Sequence, residues 1–576
     1  MKVVIVGGVA AGGSAAARLR RLDEEAEIVV LERDDYVSFA NCGLPYHIGG
    51  AIPDRGSLLL QTAEGLGRSL ALDVRNGHRV ERIDRPNKRV HVVDRVASRR
   101  YELSYDKLVL CSGAVPNRPP IVGSDHPRVH VLRTIPDMDR IIAQLDAGAS
   151  RGVVIGGSYI GLEVAEAFRE RGLDTTILER ADRLMPWMDP EMTRLLHYHV
   201  HSHGVDVRLN TTASSFNHDG ATTTIVCEDG NLIEADLVVL ATGTHPDVEL
   251  ARAAGLAVGP LGGLQVDAHM RTSDPDILAA GDMVETSHVV TGQPTLSGLA
   301  GPANRQGRIA ADTIAGRASA YRGTQGTAVV KVFEMTAGGT GLTQSQLEER
   351  AIPFKKVHLH PNGHASYYPG TSPMFMKVMF TPEEGKLLGA QVVGWDGIDK
   401  RIDVLAVALR AGMTVHDLEH LELCYAPPYG SAKDPVNMAG FLGANLLRGD
   451  VDFWYAEDFP ACQASATILD VRTAREHAHW HIPGALHIPH TELRGRLDEV
   501  PTDRPVYAYC RSGFRSYLAY RVLKQSGFEG VATLAGGLMT FHAYHRTPMA
   551  TGRAGVPVVP HAEGRMSLLP GALDHA

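Results

Sequence analysis

Hydrophobic residues in this chain gather in short runs that end at glycine or at an acid. VVIV at 3 to 6 runs into GGVAAG at 7 to 12, then a helical stretch with Leu19 and Leu22 on one face leads to IVVLE, which ends at Glu32. The same order returns as VVI at 153 to 155, GGSYIG at 156 to 161, a helix around LEVAEAF, and TTILE ending at Glu179. A short apolar run bounded by glycine predicts a strand buried on both faces, and the helical spacing after each glycine turn predicts a crossover to a parallel neighbour. The repeat therefore reads as two copies of one strand, turn, helix, strand unit. ADLVVLATG at 235 to 243 and DILAAGD at 276 to 282 supply further strands. Residues from about 325 to 447 mix strand and helix patterns without a glycine-rich loop, as an interface domain does. DVDFWYAEDFP marks a junction, beyond which TILDV, PVYAYC and ATLAG alternate with helical segments from about 462 to 546. The last 30 or so residues, rich in Pro, Gly and Ala, predict a loosely ordered tail. The expected fold class is α/β.

With 576 residues the chain is too long for one core, so several domains are expected. The net charge of -9 and the absence of a long Lys/Arg run argue against nucleic acid and membrane surfaces and favour small-molecule partners. Six scattered cysteines, at 42, 111, 227, 424, 462 and 510, suit catalytic thiols in a reducing compartment better than a disulfide framework. No span of about 20 apolar residues appears, and MKVVIVGG leaves no room for a signal-peptide core, so a cytoplasmic protein is expected.

A glycine-rich turn between strand and helix lets backbone N–H groups and the helix dipole approach a pyrophosphate, while an acid ending the next strand accepts ribose hydroxyls. Glu32 and Glu179 stand where that acid belongs, although Val9 and Ser158 replace the middle glycine of G-x-G-x-x-G. Either loop alone fits an ordinary tight turn. Two in order, joined by ATG and AAGD, point to two dinucleotides and hence to hydride transfer. Cys42, in SFANCGLPY, has no partner at C-x4-C spacing. A single thiol must cycle with an external sulfur or oxygen, through a mixed disulfide, a persulfide or a sulfenic acid. A site near a helix end is expected to lower its pKa.

Over residues 1 to 450 the chain resembles two-dinucleotide flavoproteins, with TSDPDILAAGD as the telling segment. Within these pyridine nucleotide-disulfide oxidoreductases, SFANCGLPY, GGVAAG, YAPPYG and GPANRQGR resemble the coenzyme A disulfide reductase family. The segment Cys510-R-S-G-F-Arg515-S, with LDVR at 469 to 472, Glu476, HIPGALHIP and TLAGGL, is similar to a rhodanese active loop. The resemblance implies two Rossmann-like dinucleotide-binding domains, an α+β dimerisation domain and a C-terminal α/β rhodanese-like domain. The boundaries are 1–115 with 250–324 for FAD, 116–249 for NAD(P)H, 325–450 for dimerisation, a linker at 451–461, the rhodanese-like domain at 462–546 and a tail at 547–576.

By the same resemblance FAD is held by Gly7, Ala10, Ala11, Gly12, Glu32, Arg33, Val80, Arg133, Asp282 and Ala300, with Asp282 at the ribityl chain. NAD(P)H falls to Gly157, Tyr159, Ile160, Glu179 and Gly243. Glu179 would repel a 2'-phosphate and Arg180 beside it partly compensates, so NADH is expected with tolerance for NADPH. Arg18 and Arg21, with Ser38 and Asn41, are the coenzyme A candidates, the two arginines reading equally as a solvated helix face. Near position 67, where the family offers a base, this chain has Gly67 with Arg68 beside it. Cys42 is implied as the redox centre, with Tyr367 and Tyr425 reaching across a homodimer to the partner's active site.

The rhodanese-like loop is expected to wrap its N–H groups around Cys510, with Arg511 and Arg515 adding positive field. Its C-x4-R spacing is one residue shorter than the C-x5-R of related phosphatases, which favours sulfane sulfur. The expected activity is FAD-dependent NAD(P)H reduction of coenzyme A persulfide, polysulfide or related sulfane sulfur. A plain coenzyme A disulfide reductase, an NADH oxidase and a non-turnover sulfur carrier or sensor stand as alternatives. Peroxide reduction is disfavoured because Ala10 stands where NADH peroxidases have a histidine. HYHVHSH at 197 to 203 pairs His197 with His201 and His199 with His203 at i, i+4, but with no acid or cysteine nearby it reads as a solvated face, and no metal is expected.

Overall fold

A computed structural model of the protein describes residues 1–545 and the two-residue strands Val559–Pro560 and Met566–Ser567. The loosely ordered tail expected at 547–576 falls almost wholly outside these residues. Two compact units form, one from residues 1–180 with 210–325, the other from residues 181–209 with 326 onward. Among the described residues no helix is long and apolar enough to cross a membrane.

In the first unit a parallel sheet runs in the order Ile277–Ala279, Lys107–Leu110, Lys2–Val6, Glu27–Glu32, Asp73–Asn76. Its central strand is buried on both faces, as the unbroken apolar run requires. Val4 packs with Leu31, Leu108 and Ile277 on one side, while Val3 and Ile5 meet Ala15, Leu19 and Ala310 on the other. Helix Ala10–Arg20 ends before Leu22, which is half-buried in the following turn and does not share the helix face expected of it. Helix Ala300–Ile314 lies so close that a Cβ on Gly307 would stand 2.1 Å from the Ala11 carbonyl oxygen. A second parallel sheet carries the repeat, in the order Asp174–Leu178, Arg151–Ile155, Leu237–Leu240, Val129–His130.

The second unit holds an antiparallel sheet, Ala328–Val332, Met335–Gly341, Leu387–Gly394, Phe375–Phe380, Lys355–Leu359. A parallel sheet follows, Phe453–Trp454, Val531–Leu534, Val506–Tyr509, Thr467–Asp470, Leu486–His487, with its own apolar interior around Leu469, Ala508 and Leu523. Residues 181–209, expected within the NAD(P)H-binding stretch, pack in this unit. Ion pairs join them to the antiparallel sheet beside buried Met192, Leu195 and Leu196: Lys377, fully buried in strand Phe375–Phe380, bonds Asp189 at 2.9 Å and Glu191 at 2.6 Å, both at the start of helix Pro190–Ser202. The solvated face expected of HYHVHSH is corrected for the same reason. His197 and His199 are buried, and the His199 ring meets Phe333 and Trp395 edge-on.

Candidate active site

Each glycine loop is built the same way. Gly7, at φ +96°, donates its N–H to the Leu31 carbonyl, and the Gly8 N–H reaches Oε2 of Glu32 at 2.8 Å. In the repeat, Gly156 at φ +111° donates to Leu178 and the Gly157 N–H reaches Oε2 of Glu179 at 2.7 Å. A Cβ on Gly12 or Gly161 would lie 1.8 Å or 1.9 Å from the carbonyl oxygen of Gly7 or Gly156, so no side chain fits there. Val9 and Ser158 instead sit at the helix N-caps with negative φ, where a side chain is tolerated. This explains how both loops dispense with the middle glycine. Ala10 and Ala11 open the first helix, Ala11 against Ala280 and Ala303; Tyr159 and Ile160 open the second. Burial pushes the Glu32 carboxyl up, against the N–H bonds from Gly8 and Asp34. Two helix N-termini, each with an acid at the neighbouring strand end, fit the pyrophosphate and ribose of one dinucleotide apiece.

Among the other implied residues, Arg33 pairs with Asp247 at 2.9 Å, and Val80 is buried in strand His78–Asp84. Gly243, at φ +87°, accepts the Asn117 N–H, and Ala300 begins helix Ala300–Ile314. Asp282 follows Gly281, itself at φ +91°, and lies 3.4 Å from the Arg133 guanidinium. Burial pushes the Asp282 carboxyl up and Arg133 partly offsets it.

Cys42 lies in the short turn Asn41–Gly43 that precedes helix Leu44–Ile48. The residue is exposed, and Oδ1 of Asn41 is 3.7 Å from its sulfur. Ser38, at φ +49°, donates its N–H to the Gly8 carbonyl at 3.1 Å, which ties the cysteine loop to the first glycine loop. The expected lowering of the thiol pKa is corrected. The surrounding protein desolvates the thiol, and this together with the negative charge of Glu163 pushes its pKa up, with Arg133 opposing and Asp282 adding to the rise. Glu163 escaped the sequence reading because LEVAEAF presents it as one acid on a helix. Tyr46 donates its hydroxyl to Glu163 at 3.1 Å, and burial pushes the Glu163 carboxyl up to about 7. Of the coenzyme A candidates, Ser38 and Asn41 flank Cys42, Arg18 is bonded to Asp312 at 2.7 Å, and Arg21 is exposed.

In the second unit the phenol oxygens of Tyr367 and Tyr425 are 2.8 Å apart, both residues exposed. Cys510 is buried, its sulfur accepting the Gly513 N–H at 3.2 Å and the Ser516 hydroxyl at 3.4 Å. Arg515 is clamped by Glu476 through two bonds of 2.7 Å, so much of the cation expected beside the sulfur is neutralised; burial pulls the Arg511 guanidinium down. Cys424 is exposed beside Tyr425, Cys111 is half-buried, and Cys227 and Cys462 are buried.

Residues 1–307 match the pyridine nucleotide-disulphide oxidoreductase family, 327–434 its dimerisation domain, and 455–544 the rhodanese-like domain. Relatives include an NADH oxidase of Methanocaldococcus jannaschii, 33% identical over 76% of this chain and 98% of that protein. A coenzyme A disulfide reductase of Staphylococcus haemolyticus is 33% identical over 77% of this chain and 100% of that protein. Among solved structures, reduced Bacillus anthracis CoADR-RHD is 42% identical with a TM-score of 0.92, covering 94% of this chain and 98% of that one. A NAD-dependent persulfide reductase from A. fulgidus is 37% identical with a TM-score of 0.89, covering 94% of this chain and 100% of that one. With its paired glycine loops, its dimerisation domain and its rhodanese-like C-terminal module, the chain belongs to the pyridine nucleotide-disulphide oxidoreductase family, whose members use FAD and NAD(P)H.

Proposed function

We propose that the protein uses NADH or NADPH to reduce a sulfur–sulfur bond, that of a coenzyme A persulfide or a polysulfide or, as the alternative substrate, that of a coenzyme A disulfide, with Cys42 as its single redox thiol. The observation that carries this reading is the setting of Cys42: a reachable thiol among Glu163, Arg133 and Asp282, with no second cysteine in SFANCGLPY. Such a thiol attacks an incoming sulfur and holds it as a mixed disulfide or persulfide. Arg133 favours the attacking thiolate, and Glu163, half-protonated near neutral pH, is positioned to return a proton to the leaving sulfur. Bound FAD, held by the Gly7–Gly12 loop, Glu32 and Asp282, would supply an electron pair taken from NAD(P)H, whose pyrophosphate and ribose Gly157 and Glu179 would hold. Glu179 opposes a 2'-phosphate while the exposed Arg180 tolerates one, so NADH is preferred.

The names of the relatives support coenzyme A thiols as substrates, with Ser38 and Asn41 beside the reacting thiol and Arg21 available to phosphate. The matched dimerisation domain supports a homodimer in which Tyr367 and Tyr425 serve the partner's active site. Cys510 accepts or docks sulfane sulfur before reduction. The scattered free cysteines suit the reducing cytoplasm.

The test is NADH-dependent sulfide release from a persulfide donor. Cys42→Ser should lose at least a hundredfold in turnover, and a wild-type rate would overturn the assignment. Cys510→Ala should slow polymeric sulfur donors more than small ones, whereas equal slowing of both would remove the docking role.

A further inference from the structure

We propose that His199, His203 and Glu334 bind a divalent transition-metal ion of the zinc type, which bridges helix Pro190–Ser202 to the turn between strands Ala328–Val332 and Met335–Gly341. Nε2 of His203 lies 3.0 Å and Nε2 of His199 lies 3.3 Å from the same atom, Oε2 of Glu334. A tetrahedral ion at about 2.0–2.1 Å from its ligands would set neighbouring ligand atoms about 3.3 Å apart, which these two separations approach. The two histidines come from one helix at i, i+4, and the acid absent from their own sequence neighbourhood arrives from the hairpin.

The proton inventory also calls for a cation. Nδ1 of His203 is 2.9 Å from the His199 carbonyl oxygen, which can only accept, so that nitrogen carries a hydrogen. Nε2 then faces the carboxylate oxygen at 3.0 Å, where a positive ion or a proton would lie between them. His199 is fully buried, and neither ring nitrogen makes a well-formed hydrogen bond among the described residues, its Nε2 meeting only Glu334 at 3.3 Å. An imidazole buried without a hydrogen bond is costly, and coordination would satisfy it.

The rings are also held in place. Phe333, at φ +51° in the hairpin turn, stacks on His203 at 4.0 Å and 11°, and Trp395 meets His199 edge-on at 6.2 Å. Two imidazoles and one carboxylate select borderline ions such as zinc, nickel or cobalt over magnesium or calcium. None of the three residues belongs to the proposed redox or sulfur-transfer machinery.

Because zinc also binds thiols, the test must locate the ion. Crystals of the FAD-loaded full chain, stripped with chelator and soaked in Zn2+, should give anomalous density at the zinc edge about 2.0–2.2 Å from both Nε2 atoms and a Glu334 oxygen. In solution, His203→Gln and Glu334→Gln should each weaken one equivalent of Zn2+ binding at least tenfold. Both variants should keep wild-type turnover and lose the upward shift in thermal midpoint that zinc gives the parent. Density confined to the cysteines, or titrations unchanged in both variants, would overturn the site and leave a plain imidazolium–carboxylate pair.

Discussion

The hydroxyls of Tyr367 and Tyr425 are hydrogen-bonded to each other at 2.8 Å, so one donates inward and a single O–H remains to point outward. That bond pushes the Tyr367 phenol up. In the proposed role the pair delivers one hydrogen bond to a leaving thiolate, which weakens when either oxygen is removed. Tyr367→Phe and Tyr425→Phe should each lower kcat about a hundredfold with little change in KM, on a hydrogen-bond catalysis scale of about 10²–10⁴. The double variant should be no slower than the poorer single one, as expected of groups acting as a unit. Multiplying losses would show two independent roles.

Glu163 gives the site a pH dependence of definite sign. As pH rises through about 7 its carboxyl ionises, and the new negative charge makes the Cys42 thiolate harder to form. Glu163→Gln removes that charge, so alkylation of Cys42 by iodoacetamide, followed on its peptide by mass spectrometry, should rise at lower pH than in the parent. Turnover should fall most at pH 6, where the protonated acid is lost, and least above pH 8. Superimposable alkylation profiles would detach Glu163 from the thiol.

What the sequence disclosed and what it hid divide by range. The glycine loops and the acids Glu32 and Glu179 were legible because a turn, a cap and a strand end are local, and the structure ties each acid to its own loop. The Cys510 loop was legible for the same reason. Glu163 was not, since its approach to Cys42 depends on helix Tyr159–Glu170 packing against helix Leu44–Ile48, which no periodicity records. The helical spacing of His199 and His203 was read correctly and their burial was not. Nothing in HYHVHSH announces that residues 181–209 pack beside a sheet whose strands lie beyond residue 326.

Lys377 makes that packing testable. Burial pulls its ammonium down, but Glu191 and Asp189 more than restore it, and Glu191 is in turn held well below the carboxylate range by Lys377 and His358 despite its own burial. Lys377→Met strands two buried carboxylates and should cost about 3–5 kcal/mol, seen as a lower thermal midpoint and faster hydrogen exchange in helix Pro190–Ser202. Adding Asp189→Asn and Glu191→Gln should recover much of the loss. The carboxylate contribution is complete above the unfolded carboxylate pKa and fades as pH falls through the depressed folded value, so acid should narrow the gap between parent and Lys377→Met. A single variant as stable as the parent would mean that the buried ion pairs are not what holds this helix.

Glu476 tempers the rhodanese-like loop. Its carboxyl caps helix Ala474–His479 through Thr473 and clamps Arg515; although burial pushes it up, the Arg515 bonds hold it down to about 2. The Arg515 cation of the Cys510 loop is thereby largely spent. Glu476→Gln releases that charge toward the sulfur, which already accepts the Gly513 N–H and the Ser516 hydroxyl. Cys510 should then take sulfur from an anionic donor several-fold faster, while the domain loses about 1.5–3 kcal/mol of charge-assisted hydrogen bonding. Because the depressed acid stabilises the fold fully above its unfolded value near 4.5 and progressively less toward 2, parent and variant should differ most near neutrality and converge as pH falls through 3. A rate of sulfur uptake from the anionic donor unchanged in the variant would mean that the guanidinium charge does not reach the sulfur, and Arg515 would then serve to hold the loop to its neighbouring helix.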